Sequence, residues 1–191
     1  MNPHCLIVHG CPANTESAKH AEPRTYDRHW IPWITRELTA RGIPTTAPLM
    51  PHPWEPVYEE YLGAFAEYPV SEETILVGHS GGTAFLVRWL GDTKQVIKQL
   101  VLVAPWNIER DDPIKKAFYD FPIDPGIRSR VGSIVYFTSD NEKDDGKTSL
   151  HSFHSALGGT VLSLPGHGHY TLTDMGSEAF PELIDRIAGK S

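Results

Sequence analysis

The chain has 191 residues, a formal net charge of −7 and a pI near 5.8. That length accommodates one domain (residues 1–191) with a sizeable core, and the composition excludes the basic face of a nucleic-acid binder and any apolar run of about 18 residues that would cross a membrane. The N-terminus, Met1 to Cys5, lacks the basic and apolar regions of a secretory signal, and the two cysteines, Cys5 and Cys11, do not make a disulfide framework, so a cytoplasmic protein with reduced thiols is expected.

In chain order, Leu6-Ile7-Val8 reads as a short buried strand ending at His9-Gly10. A polar stretch from Asn14 to Asp27 follows. Trp30, Ile34 and Leu38 then recur at helical spacing, with Trp30 and Trp33 read as core residues and Gly42 as the closing position. Ile43 to Ala47 is a weaker strand, and Pro53 to Tyr68 reads as a helix with Val57, Tyr61 and Phe65 on one face. Ile75-Leu76-Val77 is a buried strand followed by helix-type sequence from Thr83 to Leu90. Leu100 to Val103 is another strand, ending at Ala104-Pro105-Trp106. The charged, proline-rich connection to the next strand, Ile134 to Phe137, has room for a helical turn around Ile114 to Tyr119 but not for a full lid. Leu150, Phe153 and Leu157 mark a helix face, Val161 to Leu164 a sixth strand, and Leu183, Ile184, Ile187 and Ala188 the stripe of a final helix.

Continuous apolar strands alternating with helices predict an α/β fold with a mainly parallel, doubly wound sheet covered on both faces. The expected strand order is 2-1-3-4-5-6, which places a crevice above the carboxyl ends of the first and third strands. His9-Gly10-Cys11 ends the first of these. The third leads into Gly78-His79-Ser80-Gly81-Gly82, a G-x-S-x-G string. The bare string would arise by chance in about one chain of this length in fifteen at roughly 7% usage per residue. The strand before it and the helix after it carry the inference. Together they describe a nucleophile elbow of the α/β-hydrolase type, a sharp strand-to-helix turn that holds the serine hydroxyl exposed above the sheet.

A serine hydroxyl needs a base to take its proton and a third group to hold that base. In this fold the order along the chain is serine, acid, histidine. The acid is expected past Phe137, where Asp140, Glu142, Asp144 and Asp145 stand, and the histidine past Leu164, where His167 and His169 stand. Backbone N–H groups of Gly81 and Cys11 are the expected oxyanion donors. Trp106 is a candidate wall of the acyl pocket, with core packing the alternative. His79 is expected to point away from the nucleophile and pack. Asp144 and Asp145 read as a solvated turn.

The sequence resembles the small serine hydrolases typified by retinoblastoma-binding protein 9 and the bacterial YdeN proteins. The shared features are the His9-Gly10 turn, His29-Trp30 with Trp33, Met50-Pro51-His52-Pro53, the elbow Gly78 to Gly82, and Gly168-His169-Tyr170. The resemblance implies a compact hydrolase of small esters or amides that uses no cofactor. It also implies that His169, in a Gly-His-aromatic string, is the catalytic histidine beside Ser80. The family's acid stands five positions past the strand end, which falls here on Glu142 rather than on an aspartate. Glu142 is therefore the expected acid, and Asp140, nearer the strand end, is its rival.

Two other readings compete. His151-x-x-His154 with His167-x-His169 could supply imidazoles to a metal, but that leaves the elbow unexplained, and no metal is expected. A catalytically weak or inactive hydrolase-fold binding module is the alternative to the enzyme. The L-x-C-x-E string through which the family's namesake binds pocket proteins is absent, since neither Cys5 nor Cys11 sits in one.

Overall fold

The computed structural model describes residues 3–12, 29–109 and 112–189; the polar stretch Asn14 to Asp27 lies outside them. Six strands, β1 (His4–Val8), β2 (Thr45–Thr46), β3 (Thr74–His79), β4 (Ile97–Val103), β5 (Val131–Thr138) and β6 (Thr160–Ser163), form one all-parallel sheet in the order β2-β1-β3-β4-β5-β6. This is the expected doubly wound order, with the switch point between β1 and β3.

Strand parity decides the two cores, because successive side chains leave opposite faces of a sheet. Leu6, Leu76, Leu100 and Ile134 stand in register across the four central strands. They join one cluster under α2 (Tyr58–Phe65), α3 (Gly81–Thr93) and α6 (Asp144–Leu157). One residue further on, Ile7, Val77, Val101 and Val135 face the other way, against α1 (Ile31–Ala40) and α8 (Pro181–Ala188). Each strand must therefore be apolar on both faces, and this is why the central strands read as unbroken runs. Among the described residues there are also three short helices, α4 (Pro113–Tyr119), α5 (Ile127–Arg130) and α7 (Leu172–Met175).

Several elements differ from the sequence expectation. The predicted strand 43–47 shrinks to two residues. It is the edge of the sheet, and Pro44 and Pro48 on either side have no N–H to give a ladder. The helix expected from Pro53 begins only at Tyr58. Val57 is its N-cap with extended backbone, and the buried face is Tyr58, Tyr61 and Phe65. At the opposite edge β6 is largely exposed, Val161 at 40%, because it has a neighbour on one side only. Asp144 and Asp145 form the first turn of α6 rather than a free turn, where carboxylates are favoured by the partial positive charge of the helix N-terminus. Among the described residues, no helix is long and apolar enough to cross a membrane.

Candidate active site

The turn from β3 into α3 forces Ser80 to φ 50° and ψ −123°. A non-glycine residue held there costs of order 1–3 kcal/mol, which the surrounding packing must supply. The glycines on either side allow it. A Cβ on Gly78 would lie 2.9 Å from the Thr83 backbone, and one on Gly82 would collide with the carbonyl of Val8. The elbow is thus pressed against the end of β1, and a Cβ on Gly10 would come within 3.0 Å of Ser80 Cβ.

His169 reaches the same point from the loop after β6. Its Nε2 lies 2.8 Å from Ser80 Oγ, and its Nδ1 lies 3.0 Å from Glu142 Oε2. A carboxylate only accepts, so Nδ1 carries the proton and Nε2 is left to accept from the serine hydroxyl. Glu142 is 4% exposed. It lies one residue before the N-cap of α6, and its other oxygen accepts the Lys143 N–H at 2.8 Å. Gly146 leaves room for this carboxyl group, since a Cβ there would fall 2.7 Å from Glu142 Cδ. Asp140 does not approach the imidazole in any hydrogen bond. Its exposed carboxylate accepts the N–H groups of Gly166 and Asn141, at 2.8 and 2.9 Å.

On the β1 side, buried His9 accepts the Met50 N–H at Nε2 (3.0 Å), so its Nδ1–H donates to the Gly10 carbonyl (2.9 Å). The Gly10–Cys11 peptide is trans, so the Cys11 N–H points away from the His9 ring. The Cys11 side chain packs on Gly81. A Cβ there would stand 2.7 Å from Cys11 Sγ and 2.5 Å from the Tyr119 hydroxyl of α4. Tyr61 of α2 also contacts the thiol, at 3.7 Å. Burial pushes the Cys11 thiol and the Tyr61 and Tyr119 phenols up from their ordinary values. All three keep their protons near neutral pH, and Cys11 is no thiolate nucleophile. Trp106, whose Nε1–H donates to the Ile108 carbonyl at 2.6 Å, sets its ring edge-on to His169 at 5.3 Å between centroids.

A family model described as serine hydrolase matches residues 22–188. The chain belongs to the serine hydrolase family. YdeN of Bacillus subtilis (strain 168) is 31% identical over 102 residues, an alignment that takes in 52% of this chain and 47% of that protein. The chain therefore matches about half the length of this curated relative. The crystal structure of the ydeN gene product from B. subtilis superposes with a TM-score of 0.82 at 20% identity, over 98% of this chain and 97% of that one. Est1E from Butyrivibrio proteoclasticus with ferulic acid bound gives 0.65 at 14% identity, over 98% and 86%. The methylesterase MES16 from Arabidopsis gives 0.63 at 14%, over 97% and 99%. At such identities these likenesses establish the α/β-hydrolase fold.

In this serine hydrolase the structure brings Ser80, His169, Glu142, Gly81, Cys11 and Trp106 to one end of the sheet, and leaves Asp140 outside the series. Among the described residues, no three of His, Cys, Asp and Glu are grouped as a metal ion would require. His154 Nε2 is taken up by the Gly159 carbonyl at 3.3 Å. Sequence reasoning placed Tyr61 on a helix face and Tyr119 in a helical turn but could not bring them beside Cys11 and Gly81, since they come from separate helices with no motif, and it found half of what His79 does. His79 is buried beside Trp30, and its Nε2–H donates to the His169 carbonyl at 2.9 Å. Its Nδ1 has no hydrogen-bond partner among the described residues.

Burial, and then the neighbouring His169 and His29, hold the His79 imidazole well below its ordinary 6.5. The unfolded chain takes up a proton near pH 6.5 that the folded state refuses. Stability is therefore greatest above that value and falls as pH drops through it toward the lower folded pKa. His79→Gln keeps a donor near the Nε2 position and removes the titration. Urea unfolding between pH 7.5 and 5.5 should show a shallower loss in the variant, by up to about 1.4 kcal/mol per pH unit for one proton. Equal slopes in the two proteins would contradict this account.

Proposed function

We propose that this chain hydrolyses small carboxylic esters or amides through an acyl-enzyme. Ser80 attacks the acyl carbonyl, and His169 takes the hydroxyl proton at Nε2 and passes it to the leaving alcohol or amine. Glu142 holds the imidazole with Nδ1 protonated and balances the charge it gains. The N–H groups of Gly81 and Cys11 stabilise the oxyanion. Water, deprotonated by His169 in the second half, releases the acid and restores Ser80. The observation that carries this reading is the continuous series from Ser80 Oγ through the His169 ring to Glu142, at 2.8 and 3.0 Å. Family membership and the esterases among similarly folded proteins support it.

A fluorophosphonate probe tests the assignment. The folded protein should be labelled, and Ser80→Ala should not. A folded, unlabelled wild-type protein would favour the binding-module reading instead.

A preference for short acyl groups is part of this reading, and α4 supports it. Tyr119 and Cys11 fill the space beside Ser80 where a side chain at position 81 would otherwise stand. Arg88 keeps α4 there: it stacks 3.7 Å above the Tyr58 ring and donates to the Ala117 carbonyl at 3.1 Å. Tyr119→Ala is expected to raise kcat/KM for a p-nitrophenyl octanoate relative to the acetate by about 10-fold or more, since each buried methylene contributes about 0.8 kcal/mol. An unchanged chain-length profile would remove Tyr119 from the pocket.

A further inference from the structure

We propose that Ser139, Asp140 and Asn141 are positioning residues for His169, one unit that stitches the acid-bearing loop to the histidine-bearing loop. The inference rests on the hydrolase reading above and goes beyond it.

His169 arrives on a loop held in the core at its two ends, by Leu164 and the fully buried Tyr170, with only proline, glycine and histidine between them. The strand that leads to it, β6, is a mostly exposed edge, and residues 164–170 lie in neither helix nor strand. Such a loop must still satisfy its backbone N–H groups. Three consecutive ones are met by three consecutive side chains across the gap. The Gly166 N–H goes to Asp140 Oδ1 (2.8 Å), the His167 N–H to Ser139 Oγ (2.9 Å) and the Gly168 N–H to Asn141 Oδ1 (2.8 Å). The Ser139 hydroxyl in turn donates a hydrogen bond to Asn141 Oδ1 at 2.6 Å, so the stitches are linked to one another. The next amide, that of His169, goes to Asp174 Oδ2 at 3.0 Å. From below, the Tyr170 hydroxyl donates to the Thr138 carbonyl at 2.6 Å.

The residue after the third stitch is Glu142, the partner of the His169 ring. The segment that fixes the histidine backbone therefore also carries the carboxylate that fixes its ring, and the two cannot drift apart independently. With 139–141 committed to backbone amides of the histidine loop, position 142 is the one whose carboxylate meets the imidazole.

The test compares Asn141→Leu, which removes the acceptor at similar size, with Asn141→Asp, which retains an oxygen at the same place. Asn141 is exposed, so both should fold. With p-nitrophenyl acetate, Asn141→Leu should lose about 10-fold to 100-fold in kcat with KM changed less than about twofold, the scale expected for sub-ångström misplacement of a catalytic group. Asn141→Asp should stay within about threefold of wild type. The downfield proton resonance of His169 Nδ1–H should move or broaden in the leucine variant alone, although residue 141 does not touch the ring. Full kcat in Asn141→Leu, or equal losses in both variants, would overturn the proposal. Should the leucine variant fail to fold, Ser139→Ala carries the same comparison against Ser139→Thr. Failure of the hydrolase reading looks different: Ser80→Ala would then turn over as wild type does, whatever happens at 141.

Discussion

Ser80→Ala is expected to lower kcat for a short p-nitrophenyl ester by on the order of 10³–10⁶ while leaving the fold intact. The two halves of that expectation come from different features. The hydroxyl makes no capping bond to α3, and its hydrogen bond is to the His169 ring. Alanine at φ 50° pays the same backbone strain as serine, because the strain arises from Cβ and not from Oγ. The melting temperature should therefore stay within a few degrees, and the loss must be chemical. Residual turnover above the uncatalysed rate is also expected, since the proposed oxyanion donors, the Gly81 and Cys11 amides, are untouched by the substitution. Initial rates of the two proteins on p-nitrophenyl acetate give the answer directly. A near wild-type rate in the variant would remove Ser80 from the chemistry, and the proposed reaction with it.

The sheet was legible where burial on both faces imposes a pattern. Leu6 to Val8, Ile75 to Val77 and Leu100 to Val103 could only be central parallel strands, and their order followed from the alternation with helices. Legibility failed at the edges. Val161-Leu162 is as apolar as a central strand, yet Val161 is exposed because β6 is the edge of the sheet among the described residues. Strand β2 was overestimated because prolines set its length and hydropathy does not. At the site, the elbow was legible because the turn demands glycine on both sides of Ser80. The choice between Glu142 and Asp140 was not readable from residue type. It depends on which carboxylate the backbone amides of a distant loop occupy, and that information has no period. Tyr119 was hidden for the same reason: it reaches Gly81 only once α4 folds back over α3.

Glu142 and Asp140 stand two residues apart, and a pair of isosteric amides separates their work. Glu142→Gln is expected to reduce kcat by about 10³–10⁴, comparable to the loss seen when a triad carboxylate becomes an amide. The amide nitrogen is a donor and cannot accept from Nδ1–H. If the amide oxygen faces His169, the nitrogen must then face the Lys143 N–H that Oε1 now accepts, leaving two donors opposed in a site 4% exposed. If it turns the other way, the imidazole must take the tautomer with Nε2 protonated, which cannot accept from Ser80. Either arrangement forfeits the base or strains the loop, and neither supplies negative charge to the imidazolium. In Asp140→Asn, by contrast, the amide oxygen can still accept the Gly166 and Asn141 N–H groups that Oδ1 now takes, so kcat should remain within about threefold. Asp140→Ala removes the acceptor and should fall between the two. Measured on one ester under one set of conditions, the order Asp140→Asn, Asp140→Ala, Glu142→Gln is the expected ranking of increasing damage. The reverse, with Asp140→Asn crippled and Glu142→Gln active, would move the acid to position 140 and require the His169 loop to close differently during turnover.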